Sequence, residues 1–213
     1  MSRRAPRQAE AERNDRALLE AAKKVIAEDG VHTSVARIAD RAGVGIASLY
    51  RRYRTKDELF QRLCTLALEQ WIEAAEEGLE YDDPWEGLVH CVIAATEFSG
   101  GALGALAGTI TVTDTMAEKF TRSDELLRAL VDRAHRAGAL RTDATAVDIS
   151  LLIEQLGRAS LPQRFEAKGR ADLVEPARGA RRRTIAIALD GLRAGHPELP
   201  GRPPAPELIT ERW

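Results

Sequence analysis

The sequence predicts an all-α fold of about nine helices, with a small N-terminal three-helix domain followed by a larger helical domain. Three observations carry this. Apolar residues recur at helical spacing along nearly the whole of the 213 residues. Ser, Thr or Asp stands before these runs and Gly after them, as helix caps and stops require. The one alternating stretch, residues 109–115, has no pairing partner and reads as irregular helix or loop. With 44% apolar and 30% charged residues, the composition excludes disordered, collagen-like and disulfide-stapled classes. The longest uncharged run, residues 98–113, falls short of the ~20 apolar residues of a membrane helix. Arg3, Arg4 and Arg7 lead into Gln8, Glu10 and Glu12 rather than an apolar run, so no signal peptide is read and a cytoplasmic location is expected. Cys64 and Cys91 lack CxxC spacing and read as buried reduced thiols.

The elements follow in order. Leu18, Leu19, Ala22, Val25 and Ile26 form one helix between Asn14/Asp15 and Gly30. Ser34 caps a second, with Ile38, Ala39 and Ala42 inward and Gly43 as its stop. Val44 and Gly45 turn the chain into a third, residues 46–53. A capping box of Thr55 and Glu58 opens a long fourth helix with Leu59, Phe60, Leu63, Leu66, Ala67, Trp71 and Ala74 on its face, ending near Gly78. Asp83-Pro84-Trp85-Glu86 starts a helix that reaches Ser99. Gly100, Gly101, Gly104 and Gly108 then weaken the chain. Ser123 reads as the cap of a helix through Leu126, Leu127, Leu130, Val131 and Ala134 to Gly138. Thr145 opens an apolar helix closed before Pro162, and a polar loop, 163–175, leads through Pro176 to a last helix, 177–194. Five of the 18 residues from His196 onward are Pro, so this tail is expected to be extended and mobile. The expected organisation is a basic flexible arm (1–10), a helix-turn-helix domain (11–55), a ligand-binding and dimerisation domain (56–195) and a Pro-rich tail (196–213).

Charge is distributed unevenly. Residues 1–56 hold 13 Lys+Arg against 7 Asp+Glu, and the remainder 18 against 26. A small module that meets a polyanion, joined to an acidic body, produces such a split, and so does an incidental basic tail. Residues 34–42, 43–45 and 46–53 have the order of a helix-turn-helix, whose second helix enters a major groove. Gly45, Ala47 and Ser48, beside Ile46, are small enough for the backbone to approach base edges. Tyr50, Arg51, Arg52 and Arg54 place a phenol and three cations at the far end. Lys56 sits in the first turn of the fourth helix, where the amide dipole favours an anion. Tyr50 can also be read as a core aromatic, the arginines as a solvated face and Lys56 as a surface lysine.

These residues resemble a family. Ile38-Ala39-x-x-Ala42-Gly43-Val44, then Leu49-Tyr50-x-x-Tyr53, then Lys56-x-x-Leu59 is similar to the DNA-binding signature of the TetR (tetracycline repressor) family, over roughly residues 11–70. The resemblance implies phosphate contacts at Ser34, Tyr50 and Lys56, a DNA-facing set that also includes Arg37, and a homodimer with a diverged effector domain. Arg52 stands where His or Tyr is usual, Gly45 where Ser or Thr is common, and Ala47 where Gly is common. Residues 133–141 and 188–192 are similar to an actinobacterial SbtR-type subgroup.

In the larger domain Trp71, Trp85, His90, Phe98, Met116, Phe120 and Gln155 are candidates for lining a ligand cavity between helices, with core packing as the alternative reading of the apolar ones. Glu97, Glu154 and Arg158 are further polar groups in apolar helices, which need partners when buried. His90 has no partner at i±4, so no metal site is expected, and no cofactor is implied. No GxSxG, HExxH, P-loop or GxGxxG occurs. The expectation is a non-enzymatic, ligand-responsive regulator that binds a double-stranded DNA operator, most simply a repressor, paired through residues 145–161 and 177–194; the alternative is an all-helical enzyme or small-molecule-binding protein.

Overall fold

The structure, a computed structural model, describes residues 4–99, 106–157 and 161–211, with the side chains of 4–12 and 98–99 left aside. Among these residues it contains ten helices: α1 (Arg4–Asp29), α2 (Val35–Ala42), α3 (Ile46–Arg52), α4 (Lys56–Glu80), α5 (Pro84–Ser99), α6 (Asp114–Arg136), α7 (Ala146–Gly157), α8 (Leu161–Ala167), α9 (Ala171–Asp190) and α10 (Glu207–Thr210). The all-α expectation holds for the described residues, whose only extended pairing is the isolated bridge between Leu140 and Arg193.

Four boundaries differ from the sequence reading. Helix α1 begins at Arg4, within the segment expected to be an arm. The Ala, Glu and Gln residues ahead of Asn14 are strong helix formers and carry the helix upstream. Helix α6 starts at Asp114, capped by Thr113, whose hydroxyl accepts from the Met116 amide at 3.3 Å. Ser123, read as that helix's cap, lies inside it and donates to the Phe120 carbonyl at 2.8 Å. The polar loop expected over 163–175 is mostly helix, supplied by α8 and the start of α9. Pro176 lies inside α9, where it removes one ladder bond while burial of Ala177, Ile185 and Leu189 holds the helix.

Apolar side chains collect into two clusters. The first joins Leu18, Val25, Ile38, Leu49, Leu59 and Leu63 to Leu106, Ile110 and Met116. The second holds Trp85, Leu88, Val92, Leu130, Ile149, Ile185 and Leu189. Cys64 lies in the first and Cys91 in the second; both are unpaired, and burial pushes each thiol up to about 12.

Helices α4 and α5 meet backbone to backbone at Gly78 and Gly87. A Cβ at Gly87 would lie 2.1 Å from the Gly78 carbonyl oxygen, and one at Gly78 2.6 Å from that of Gly87. Arg133 of α6 closes the α4 terminus, donating to the carbonyls of Leu79 at 2.9 Å, Asp82 at 3.3 Å and Tyr81.

The tail departs from its expected mobility. Arg141, 7% exposed, grips Asp143 with two nitrogens and donates to the carbonyls of Gly191 and Pro197. Asp143 also accepts the Leu199 amide at 2.6 Å, and these donors hold its carboxyl well below the usual range. Five prolines restrict the chain, but they do not prevent its docking.

Gly87→Ala is expected to cost about 1–3 kcal/mol in urea unfolding, because the added methyl overpacks a backbone contact. Gly179→Ala in α9, which has nothing within 4 Å, should instead be neutral or stabilise by up to about 1 kcal/mol.

Candidate DNA interface and effector cavity

The turn between α2 and α3 is set by one residue. Gly43 adopts φ 65°, and the amides of Gly43 and Val44 donate to the carbonyls of Asp40 and Ala39, both at 3.0 Å. This closing pattern needs a left-handed residue, which glycine supplies without a side-chain clash. Ser34 caps α2 by accepting from the Arg37 amide at 3.2 Å. Leu49 and Tyr53 are buried, which leaves Gly45, Ile46, Ala47, Tyr50 and Arg51 outward on α3. Ile46 and Tyr50 are each 46% exposed, so Tyr50 is not a core aromatic. Ser48 is half-buried and accepts from the Arg51 guanidinium.

Several expected DNA cations are engaged within the domain. Arg52 pairs with Asp15 of α1 at 2.9 and 3.3 Å, and the Tyr53 hydroxyl donates to the same carboxylate. Burial tends to raise the Asp15 pKa, but the hydrogen bonds from Arg52 and Tyr53 and the Arg52 charge outweigh it and hold the group below its ordinary value. Burial and the Asp15 carboxylate push the Tyr53 phenol well up. Arg37 pairs with Asp29, and Arg41 with Glu28 through two bonds of 2.9 Å. Lys56 donates to the Val31 carbonyl at 2.6 Å and lies 5.2 Å from the centre of the Phe60 ring.

Thr55 caps α4 through the Glu58 amide at 3.1 Å, while Glu58 reaches the Arg54 amide at 2.7 Å, one residue before the expected box. Asp57 and Glu58 therefore oppose an anion at this terminus, and a phosphate there would rely on the ammonium of Lys56, which has two further donors, and on Arg54.

In the second domain a cavity of about 1000 Å³ opens between α4, α6, α7 and α10. Leu68, Trp71, Phe120, Leu127, Val131 and Ile153 supply much of its apolar lining, and Asp132, His135, Thr142, Thr145, Ser150 and Glu154 bring polar groups to it.

Of the seven residues expected to line a pocket, Trp71 and Phe120 do so. Trp85 and Met116 are core residues, and Arg193 lies 4.5 Å from the Trp85 ring centre. His90 instead meets Glu77 at 3.0 Å and the Tyr81 hydroxyl at 3.3 Å, away from the cavity. Gln155 is exposed, because α7 turns its Glu154 rather than Gln155 toward the cavity. The Phe98 side chain and Arg158 lie outside the described residues. Among the described residues no group of three His, Cys, Asp or Glu is arranged to hold a metal. Sequence reasoning missed the contributions of 142–150 and of the tail, because an apolar helix such as the one opening at Thr145 reads as core and the tail carries no helical apolar face that marks it.

Residues 18–63, which span the C-terminal part of α1, all of α2 and α3, and the first turns of α4, match the family model of "Bacterial regulatory proteins, tetR family". Among solved structures, the chain is similar to the TetR transcriptional regulator SCO0520 from Streptomyces coelicolor, at 23% identity and TM-score 0.55 over 85% of this chain and 99% of that one. It is similar to the TetR transcription regulatory protein from Mycobacterium vanbaalenii at 24% identity and TM-score 0.55, over 88% and 99% of the two chains. A third likeness is to the ketosteroid transcriptional regulator KstR2 of Mycobacterium tuberculosis, at 20% identity and TM-score 0.53, over 84% and 94%. Residues 18–63 thus carry the match to the family model, and the fold is similar to that of these solved regulators. No helix among the described residues is long and apolar enough to cross a membrane.

Three outcomes are expected. The lowered Asp15 pKa means that its contribution to stability is present above the unfolded value near ~3.9 and disappears as pH falls through the lower folded value. Asp15→Asn should thus unfold more easily than wild type at pH 7, with the gap narrowing below about pH 4 in thermal scans. Lys56→Ala should weaken binding to all DNA sequences and reduce the salt slope by about 1 for each phosphate that is no longer neutralised. Arg52→Ala should lower the unfolding temperature as well, since it also breaks the pair with Asp15.

Proposed function

We propose that this chain is a ligand-responsive transcriptional repressor that binds a palindromic operator as a homodimer and is released by a small molecule. The observation that carries the reading is a single helix, α4, with Lys56 at the DNA-facing end and Leu68 and Trp71 on the cavity. A second link supports it. In the segment 106–113, Leu106 and Ile110 sit in the first domain's core while Ala107 and Val112 line the cavity. Gln61 of α4 donates to the Thr111 carbonyl at 2.8 Å, and the Thr111 amide donates to Asp57 at 3.4 Å. A ligand that prefers one arrangement of this segment therefore biases α4, and a differential affinity of about 1–3 kcal/mol gives roughly 5- to 150-fold release.

Ligand contact is proposed for Trp71 and Phe120, and facing DNA for Ser34, Gly45, Ile46, Ala47, Ser48, Tyr50, Arg51 and Lys56, with Arg37 and Arg52 engaged first within the domain. The effector domain is assigned to the SbtR-type subgroup on residues 133–141 and 188–192. Dimerisation is placed on residues 145–161 and 177–194: Ile187 of α9 is 64% exposed, an apolar side chain left for a partner copy to cover.

Selection of bound duplexes from a random DNA pool tests the whole reading. It should return a palindrome with half-sites about one turn apart, ~34 Å or slightly more, and light scattering should give a dimer at micromolar concentration. A non-palindromic product or a monomer would overturn it.

A further inference from the structure

The docked tail changes what the effector cavity is made of. Pro206, Ile209 and Thr210 are part of its lining. Helix α10 presents itself with a definite side: Leu208 is 53% exposed, while its neighbour Ile209 is half-buried against the cavity. The strap that brings α10 there is fixed at its base, where Arg141 and Asp143 hold Pro197 and Leu199. A segment already docked needs no further ordering when ligand arrives, so its contacts count more fully toward affinity than those of a mobile one.

We propose that the tail is a wall of the effector site and that Ile209 contacts the ligand, so that the tail limits which ligands fit. The class follows from the lining. Leu68, Trp71, Phe120 and Leu127 with Ile209 suit a largely apolar molecule of drug size, and Thr142 offers a hydroxyl to its polar end. This rests on the cavity being the effector site.

The test uses the full chain and the uncharged fluorophore N-phenyl-1-naphthylamine, whose emission rises in apolar surroundings. Three variants are titrated beside wild type: Ile209→Trp, which fills the cavity from the tail; Leu208→Trp, on the solvent side of the same helix; and Ala117→Trp, on an exposed cavity-lining position of α6. Ile209→Trp should raise the dye Kd about tenfold, a change of ~1.4 kcal/mol, and Leu208→Trp should leave it within about twofold. Removing residues 202–213, which spares the Arg141 anchor, should also weaken binding with the circular dichroism of the other helices retained; this keeps the inference testable should Ile209→Trp fail to fold. If Ala117→Trp blocks the dye while Ile209→Trp matches Leu208→Trp, or the truncation binds as wild type does, the tail's role is overturned and the cavity stands. If wild type binds no dye, or Ala117→Trp and Ile209→Trp both leave binding unchanged, cavity and tail fall together.

Discussion

Leu106, Ile110 and Met116 are buried in the same apolar cluster as the helices of the helix-turn-helix segment. Each such burial contributes about 1.5–3 kcal/mol, so the segment bearing them cannot leave the first domain without a loss comparable to a large part of a domain's stability. The two domains are therefore not beads on a linker. Whatever rearranges residues 106–113 must either carry the helix-turn-helix with it or repack this cluster, and close-packed clusters switch between arrangements more readily than they deform.

That constraint gives meaning to the charge pattern. On the proposed reading, the excess of cations in residues 1–56 overstates what DNA would meet, since Asp15, Glu28 and Asp29 of α1 already hold Arg52, Arg41 and Arg37. Exposed pairs of this kind are worth about 0–1 kcal/mol each, so an arginine can exchange its carboxylate for a phosphate at small cost. Their effect without DNA is to orient α2 and α3 against α1. In the proposed repressor the acidic partners would lower non-specific affinity while fixing the angle at which α3 is presented, and a fixed angle favours the reading of bases over simple adhesion to a polyanion.

The local signals that were legible were those confined to a few residues. The Ser34 cap, the Gly43 stop, the Thr55 cap and the burial of Leu49 and Tyr53 follow from short-range chemistry and stand in the structure. Helix starts were less legible where good formers continue past a plausible cap, as at Asn14 and Ser123. The cavity was the least legible. Trp71 and Trp85 look alike in a helical pattern, and only the packing of distant elements decides that one lines a cavity and the other lies under Arg193. The tail was misread because its prolines describe chain stiffness, whereas docking depended on Arg141, some 60 residues away in the chain, finding the Pro197 carbonyl.

The close crossing of α4 with α5 bears on what a ligand could do to α4. At Gly78 its backbone touches α5 with no room for a methyl group, and Arg133 closes the carbonyls just beyond. In the proposed switch that end is the pivot. At ~1.5 Å per residue, Trp71 lies ~10 Å from Gly78 and Lys56 ~33 Å. A tilt about the crossing is therefore magnified roughly threefold between the cavity wall and the DNA-facing turn, so ~1 Å at Trp71 becomes ~3 Å at Lys56. In a two-fold dimer both copies shift, and a change of that size in the separation of two α3 helices is large against the ~3 Å reach of the hydrogen bonds that read a groove. On the proposed reading, the glycine crossing and the Arg133 cap, far from the proposed DNA-facing turn, would thereby set how strongly a small molecule acts on binding. Loosening them would blunt the response even with cavity and recognition helix unchanged.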